Sequence, residues 1–415
     1  MSGVIKNWLI SYFAIASLII YCWAIYPLFI IGEGGFELFP SSFMQAIFFL
    51  IYFISTIFIL LKVKLNGINY KGNFHFWTFM LFIIFSVFWA DYIGSSFRSL
   101  LSFIGSTIFG IFLSYFFNKK EFLRILLIAF IIISVSSYFT SIMLPSFGIH
   151  HDIEYLTGDW KGVFTHKNIL GRIMALAILT ASIYFLEIKS HKIIILTTII
   201  LFTGLIVFSS SISSLVILLV VFLFIALSKL VKYNIHLVLS LTAFLILIMG
   251  VSGAILYSNF EHIMLILGRD PTLTGRTVLW GYIFDFISEK PFFGYGYQSF
   301  WLGYDGINSR TIYEIFNYEF SHAHNGYLDI LLQIGVIGFV LFLFQLYSSF
   351  NRVIKNLRYQ NNRIDLFILG YLIYFCTLNI SESNFLEPNS IYWVIYVYIV
   401  FSLNKNNEKT REEQL

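Results

Sequence analysis

SHAHNGYLDILLQIGVIGF, residues 321–339, sets two imidazoles, His322 and His324, where a polar stretch runs into an apolar one. The apolar part continues to position 350 with Asp329 as its one charged residue. That is enough helix for the ~20 residues that a bilayer's hydrocarbon core requires. The stretch therefore reads as a membrane span with histidines at its mouth.

Working outward, the same alternation of apolar run and polar turn fills the rest of the 415 residues. The chain is 58% hydrophobic and only 12% charged, with a mean hydropathy of +0.82. Soluble domains carry roughly 25% charged residues. The expected fold is an all-α integral membrane protein, one polytopic domain over residues 1–415. Twelve spans are predicted, at 8–31, 43–61, 76–90, 100–117, 125–144, 169–186, 193–208, 215–227, 237–257, 327–350, 366–380 and 391–403. The first is too long for a signal-peptide core and is read as a retained anchor.

Charge gives an independent orientation, because cytoplasmic loops carry the excess of Lys and Arg. With the N-terminus inside, most of the 26 Lys and Arg residues fall on the cytoplasmic side and most of the 22 Asp and Glu residues outside. Both termini are then expected to be cytoplasmic. Two sizeable outer loops remain, 145–168 and 258–326.

Several function classes fall away. A net charge of +4 that separates into a basic inner and an acidic outer face carries no nucleic-acid message. Cys22 and Cys376 lie within spans without motif spacing, against a disulfide framework or zinc site. No charge falls at mid-span, whereas ionisable groups there would mark an ion path. Repeated halves, broken helices and a polar central cavity, the marks of a transporter or flippase, are not visible. The Phe-rich and Ile-rich spans read as bilayer-facing surface.

Polar chemistry gathers at the outer side in three motifs. WKGVFTHKNILGR, residues 160–172, brings His166, Lys167, Asn168 and Arg172 to the start of the sixth span. Lys as a point charge and Arg as a two-pronged donor suit a diphosphate; snorkelling to the interface is the plainer reading. TGRTVLWGYIFDFISEKPFFGYGYQSF, residues 274–300, places Leu279, Trp280, Ile283, Phe284 and Ile287 at helical spacing. An amphipathic helix at about 276–290 follows, ended by Pro291, with Arg276 in its first turn, where free amides favour an anion. Arg276 paired with Asp270 or Asp285 is the alternative. In the third motif, His324 suits a general base, since an imidazole titrates near ~6.5. Asn325 can orient it or bond a sugar, and His322 stands beside it. Gly335 and Gly338 read as close helix packing. His150, His151, Asp152 and Glu154 read as a solvated loop rather than metal ligands, and Glu382 and Glu387 by default as solvated acids, with steering of an acceptor by either as the alternative.

FTHKNILGR, GRTVLWGYIFDFISEKPFFGYGYQSF and HAHNGYLDILLQIGVIGF, in this order and on this topology, resemble the O-antigen ligase and Wzy-type polysaccharide polymerase superfamily, in its ExoQ-like form. The resemblance implies a GT-C-like membrane fold and a metal-independent, inverting glycosyltransferase without cofactors. Its donor would be an undecaprenyl-diphosphate-linked glycan, used on the periplasmic face of the bacterial inner membrane. Its acceptor would be another glycan, in polymerisation of O-antigen, capsule or exopolysaccharide, or lipid A-core in a ligase. Chain-length regulator and flippase proteins would be its neighbours. His324 would activate the acceptor and Arg276 would hold the diphosphate, with His166, Lys167, Asn168, Arg172, His322 and Asn325 lining the substrate. One departure stands out. Many ligases carry an arginine where this chain has SSSISS, residues 209–214, so Lys167 or Arg172 supplies that charge or the chain is a polymerase.

Overall fold

The computed structural model describes residues 2–24, 41–66, 73–151, 156–231, 274–359 and 362–412. Among them the fold is all-α. Helices α1 (Ser2–Tyr21), α2 (Ser41–Asn66), α3 (Phe74–Ser86), α4 (Ile93–Phe116) and α5 (Lys119–Met143) lead into a single turn, α6 (Pro145–Gly148). Helices α7 (Lys167–Glu187), α8 (Lys192–Phe208) and α9 (Ile212–Val231) follow. After them come α10 (Thr274–Glu289), α11 (Ile307–Phe316), α12 (Gly326–Tyr359), α13 (Asp365–Ser381) and α14 (Ile391–Glu412).

Five helices are long and apolar enough to cross a bilayer: Ser42–Lys62, Ile93–Phe116, Lys119–Met143, Lys167–Glu187 and Gly326–Tyr359. Six shorter apolar helices lie among the other expected spans. The chain is a multi-pass membrane protein. The expected ninth span, 237–257, and the start of the loop after it lie outside the described residues.

Local chemistry explains the boundaries. Asn118 opens α5 with a capping box, its side chain accepting from the Lys120 and Glu121 amides while Glu121 accepts from the Asn118 amide at 2.9 Å. Hydroxyls inside the helices turn back on their own backbone. Thr107 donates to the Phe103 carbonyl and Thr180 to that of Leu176, so neither of these O–H groups is left bare in an apolar medium.

The bundle wraps around α14. It packs against α4 and α12, and its residues from Ile391 to Val400 are all buried. Trp393 stacks on Phe103 at 4.4 Å between ring centroids and donates its indole N–H to Thr107 at 2.9 Å. The phenylalanines divide. Phe49, Phe53 and Phe85 stand outward, as expected of a lipid-facing surface, but Phe76, Phe79, Phe103, Phe109, Phe112, Phe122 and Phe130 form the core.

Gly335 corrects another expectation. At φ +62° it interrupts α12 rather than simply admitting a neighbouring helix. The carbonyls of Leu332 and Gln333, freed by this break, accept from the amides of Tyr295 (2.8 Å) and Gly296 (2.9 Å). Pro291 and Phe292 carbonyls in turn accept from Val336 and Ile337. A Cβ at Gly335 would run into the Phe292 carbonyl. A broken span is thus present after all, healed by the segment between α10 and α11.

Candidate functional site

Three elements converge on the two histidines. The amphipathic helix predicted around 276–290 is α10, and its Leu279 and Ile283 are buried in a small second core with Tyr295, Phe300, Ile312 and Leu332. Phe284, assigned to the same face, is exposed instead. From α10 the Trp280 indole donates to the Ala323 carbonyl at 2.9 Å. From α12 the buried Asp329 carboxylate accepts the Ala323 amide (3.1 Å) and the Trp301 indole N–H (2.7 Å). The residue between the histidines is therefore held on both sides. His324 is forced to φ +51°, a left-handed conformation that costs a non-glycine residue energy.

The imidazoles of His322 and His324 stand 4.2 Å apart between ring centroids, and the His324 amide donates to His322 Nδ1 at 3.1 Å. The segment after α13 forms the opposite wall. Gly326 donates its amide to the Glu382 carbonyl (2.9 Å) and Asn325 donates its amide to the Ser383 hydroxyl (3.1 Å). Ligand atoms of His322, His324 and Glu382 all lie within 4.8 Å of one another. Glu382 also takes a 3.2 Å ion pair from Arg172 of α7, and Arg276 of α10 donates to the Ser381 carbonyl at 3.1 Å. His324 Nδ1 and Arg172 Nε are buried without a protein hydrogen-bond partner. Such orphans are rare enough to mark a place where something else binds.

Electrostatics follow from this crowding. Burial, followed by the like charges of His322 and Arg276, pulls His324 down to about 4. Burial also pulls His322 to about 4, with Arg172 and Arg276 acting the same way and Glu382 opposing. Burial would raise Glu382, but Arg172 and then the two histidines and Arg276 outweigh it and hold the carboxyl below its usual range. The site is a neutral imidazole pair beside a carboxylate and two permanent cations. His322, His324 and Glu382 are close enough to ligate one ion, but Arg172 already occupies Glu382 and both arginines oppose a further cation.

The remaining expected residues divide. His166 caps α7, its Nδ1 accepting the Asn168 amide at 3.1 Å, and it lies near enough to feel Glu382 and Arg172. Lys167 is tied to Asp159 by a 2.5 Å ion pair on its own side of the loop. Asn168 sits half-buried in the first turn of α7. Asn325 uses its carboxamide oxygen to cap α12, accepting from Tyr327 (3.0 Å) and Leu328 (3.3 Å). His150 is not solvated. It is buried, stacks edge-on to His166 at 5.3 Å and accepts the Lys167 amide at 3.2 Å. Asp152 and Glu154 lie outside the described residues. Glu382, read as a solvated acid, is the residue that sequence reasoning missed; its one signal was the outer position it shares with the histidines. The serine loop meets α7 next to this site, since a Cβ at Gly171 would press into Ser211 and Ser214.

Residues 196–343 match the family described as O-antigen ligase (Wzy_C). This stretch contains Arg276, His322, His324 and Asn325 and omits His166, Arg172 and Glu382. A putative polysaccharide ligase of Rickettsia felis is 28% identical over 149 residues, 33% of this chain and 33% of that protein. The exopolysaccharide production protein ExoQ of Rhizobium meliloti is 32% identical over 92 residues, 22% of this chain and 21% of that protein. The chain thus spans a third or less of the length of these relatives. The matches support the O-antigen ligase and Wzy-type superfamily.

Proposed function

We propose, on the premise of the O-antigen ligase domain carried at residues 196–343, that this chain is an inverting, metal-independent membrane glycosyltransferase acting on undecaprenyl-diphosphate-linked glycans. One observation carries the reading: His322, His324 and Glu382 within 4.8 Å of one another, flanked by Arg172 on the carboxylate and Arg276 one residue away at Ser381. The fold would be GT-C-like with twelve spans, both termini cytoplasmic and the histidines at the periplasmic face of the inner membrane.

An acceptor hydroxyl gives its proton to His324 as its oxygen bonds to the anomeric carbon of the donor. The bond from that carbon to the diphosphate oxygen breaks on the opposite face, and the diphosphate leaves with the electron pair. Charge grows on the leaving oxygen only in the transition state, so Arg276 and Arg172 placed there accelerate the step rather than merely tighten binding. Glu382 stabilises the imidazolium that forms. Purified Arg276→Ala should lose roughly 10²-fold in turnover at saturating donor, the usual effect of deleting one such donor group. Unchanged turnover would remove Arg276 from the mechanism.

The polymerase reading is favoured over the ligase by the serine loop, which carries no arginine, and by the ExoQ relative. The polysaccharide ligases of Rickettsia favour the alternative. Glycan analysis of a deletion strain separates them. Single repeats still attached mean polymerase, and unattached full-length polymer means ligase. The broken helix at Gly335 favours a third reading, a flippase of lipid-linked glycan. It predicts that His324→Ala still moves lipid-linked glycan across vesicle membranes.

A further inference from the structure

A continuous run of aromatic rings leads away from His324, and no step of the proposed reaction uses it. Phe320 meets the His324 imidazole edge to face at 6.2 Å between ring centroids. Phe316 and Tyr318 both pack on Phe320, at 5.4 Å and 4.9 Å, and Tyr282 of α10 packs on Phe316 at 6.1 Å. These contacts too are edge to face, the arrangement that aromatic quadrupoles favour.

The local sequence builds the run. Phe316 and Phe320 are half-buried against the small second core that α10 and α11 share. Between them Asn317 closes α11 in the left-handed conformation, at φ +48°, and the chain turns with Tyr318 left outside. Tyr318 is 61% exposed and Tyr282 36%. The neighbours of Tyr318 separate a wet surface from a lipid-facing one. Rings that stand outward from the spans have apolar chain neighbours, as Phe49 has Phe48 and Leu50. Tyr318 lies instead between Asn317 and Glu319, both exposed, and a carboxamide and a carboxylate there need water. An exposed ring rimmed by polar groups marks an interaction site.

Sugars suit such a surface. The C–H face of a pyranose is apolar and slightly positive, which matches the negative face of an aromatic ring, while its hydroxyls stay in water or reach the phenolic O–H. The run also has a direction. It begins at the base that takes the acceptor's proton, whereas Arg172 and Arg276 meet the segment after α13.

We infer that Tyr318 and Tyr282, joined to His324 through Phe320 and Phe316, form the surface on which the acceptor glycan lies as it runs out of the site, stacked on ring faces rather than held by charge. The inference rests on the glycosyltransferase reading and adds to it the path of the acceptor chain.

The test uses the purified full chain in lipid nanodiscs and oligosaccharides several repeats long, cut from the source strain's own polymer. In Tyr318→Cys, a charged, water-soluble maleimide should label the new thiol quickly, above the slow background of Cys22 and Cys376. The oligosaccharides should slow that labelling about tenfold once they saturate the site. Labelling that they leave unchanged overturns the inference. So does a thiol that the water-soluble reagent cannot reach, which would place residue 318 in the lipid interface. With an undecaprenyl-diphosphate glycan as donor, Tyr318→Ala should raise the acceptor's KM about tenfold with the donor's KM unmoved, and Tyr318→Trp should stay near wild type, a split that no folding defect imitates. An acceptor KM within twofold of wild type in Tyr318→Ala overturns the stacking while the glycosyltransferase reading stands. A wild type that transfers no sugar, with the thiol still protected in Tyr318→Cys, overturns that reading and leaves the glycan-binding surface in place.

Discussion

An imidazole at about 4 is neutral in the resting protein and ready to take a proton, but it is a weak base until something raises it. The donor's diphosphate would do this by neutralising Arg276 and Arg172, two of the cations that hold His324 down. The acid limb of kcat/KM, which reports the free enzyme, is therefore expected near pH 4, and that of kcat at higher pH. Coincident limbs near 6.5 in a pH–rate profile would take His324 out of the base role. Stability moves with the same sign. Between ~6.5 and about 4 the unfolded chain binds protons on His322 and His324 that the folded chain refuses, so the fold weakens as pH falls through that window. The histidines and Arg276 were readable because polar residues at a membrane boundary need a reason. Glu382 was not, since an acid at the end of a span looks the same in sequence whether water or Arg172 faces it.

At the scale of the element, α12 and the 291–296 segment depend on each other. The break leaves carbonyls bare, and in an apolar medium each bare group costs several kcal/mol unless another backbone reaches it. Gly294 and Gly296, both at positive φ, let that backbone approach, and a Cβ at Gly294 would press on the Leu332 carbonyl. Gly335→Ala combines a strained φ with this collision and should destabilise the protein by about 2–4 kcal/mol. A melting curve in detergent checks it, and an unshifted Tm would mean that the break is incidental. Glycine in an apolar run is ambiguous between packing and a break, and only the partner segment decides between them. The sequence could show both strands of that joint but not that they meet.

For the whole molecule, the positions of the apolar runs were legible because a bilayer demands some 20 apolar residues for each crossing. Their burial was not, because lipid tails and protein interior call for the same side chains. Phe103 and Phe53 cannot be told apart by composition, yet one lies under Trp393 and the other faces outward. Orientation can be checked directly. A periplasm-dependent phosphatase fused after residue 320 should be active and one fused after residue 361 inactive, with a fluorescent reporter giving the opposite pattern. The reversed result would place the histidines in the cytosol, away from any periplasmic glycan.

The covering of α14 on every face from Ile391 to Leu403 carries a consequence for biogenesis. Thirteen helices precede it among the described residues, so the ribosome delivers the hub after its spokes. Until then the earlier helices must stand around a vacant axis, held by the insertion machinery or by one another. A stop codon after residue 390 would leave that axis hollow, and membrane quality-control proteases should clear the truncated product quickly even though Arg172, Arg276, His322, His324 and Glu382 are all present in it.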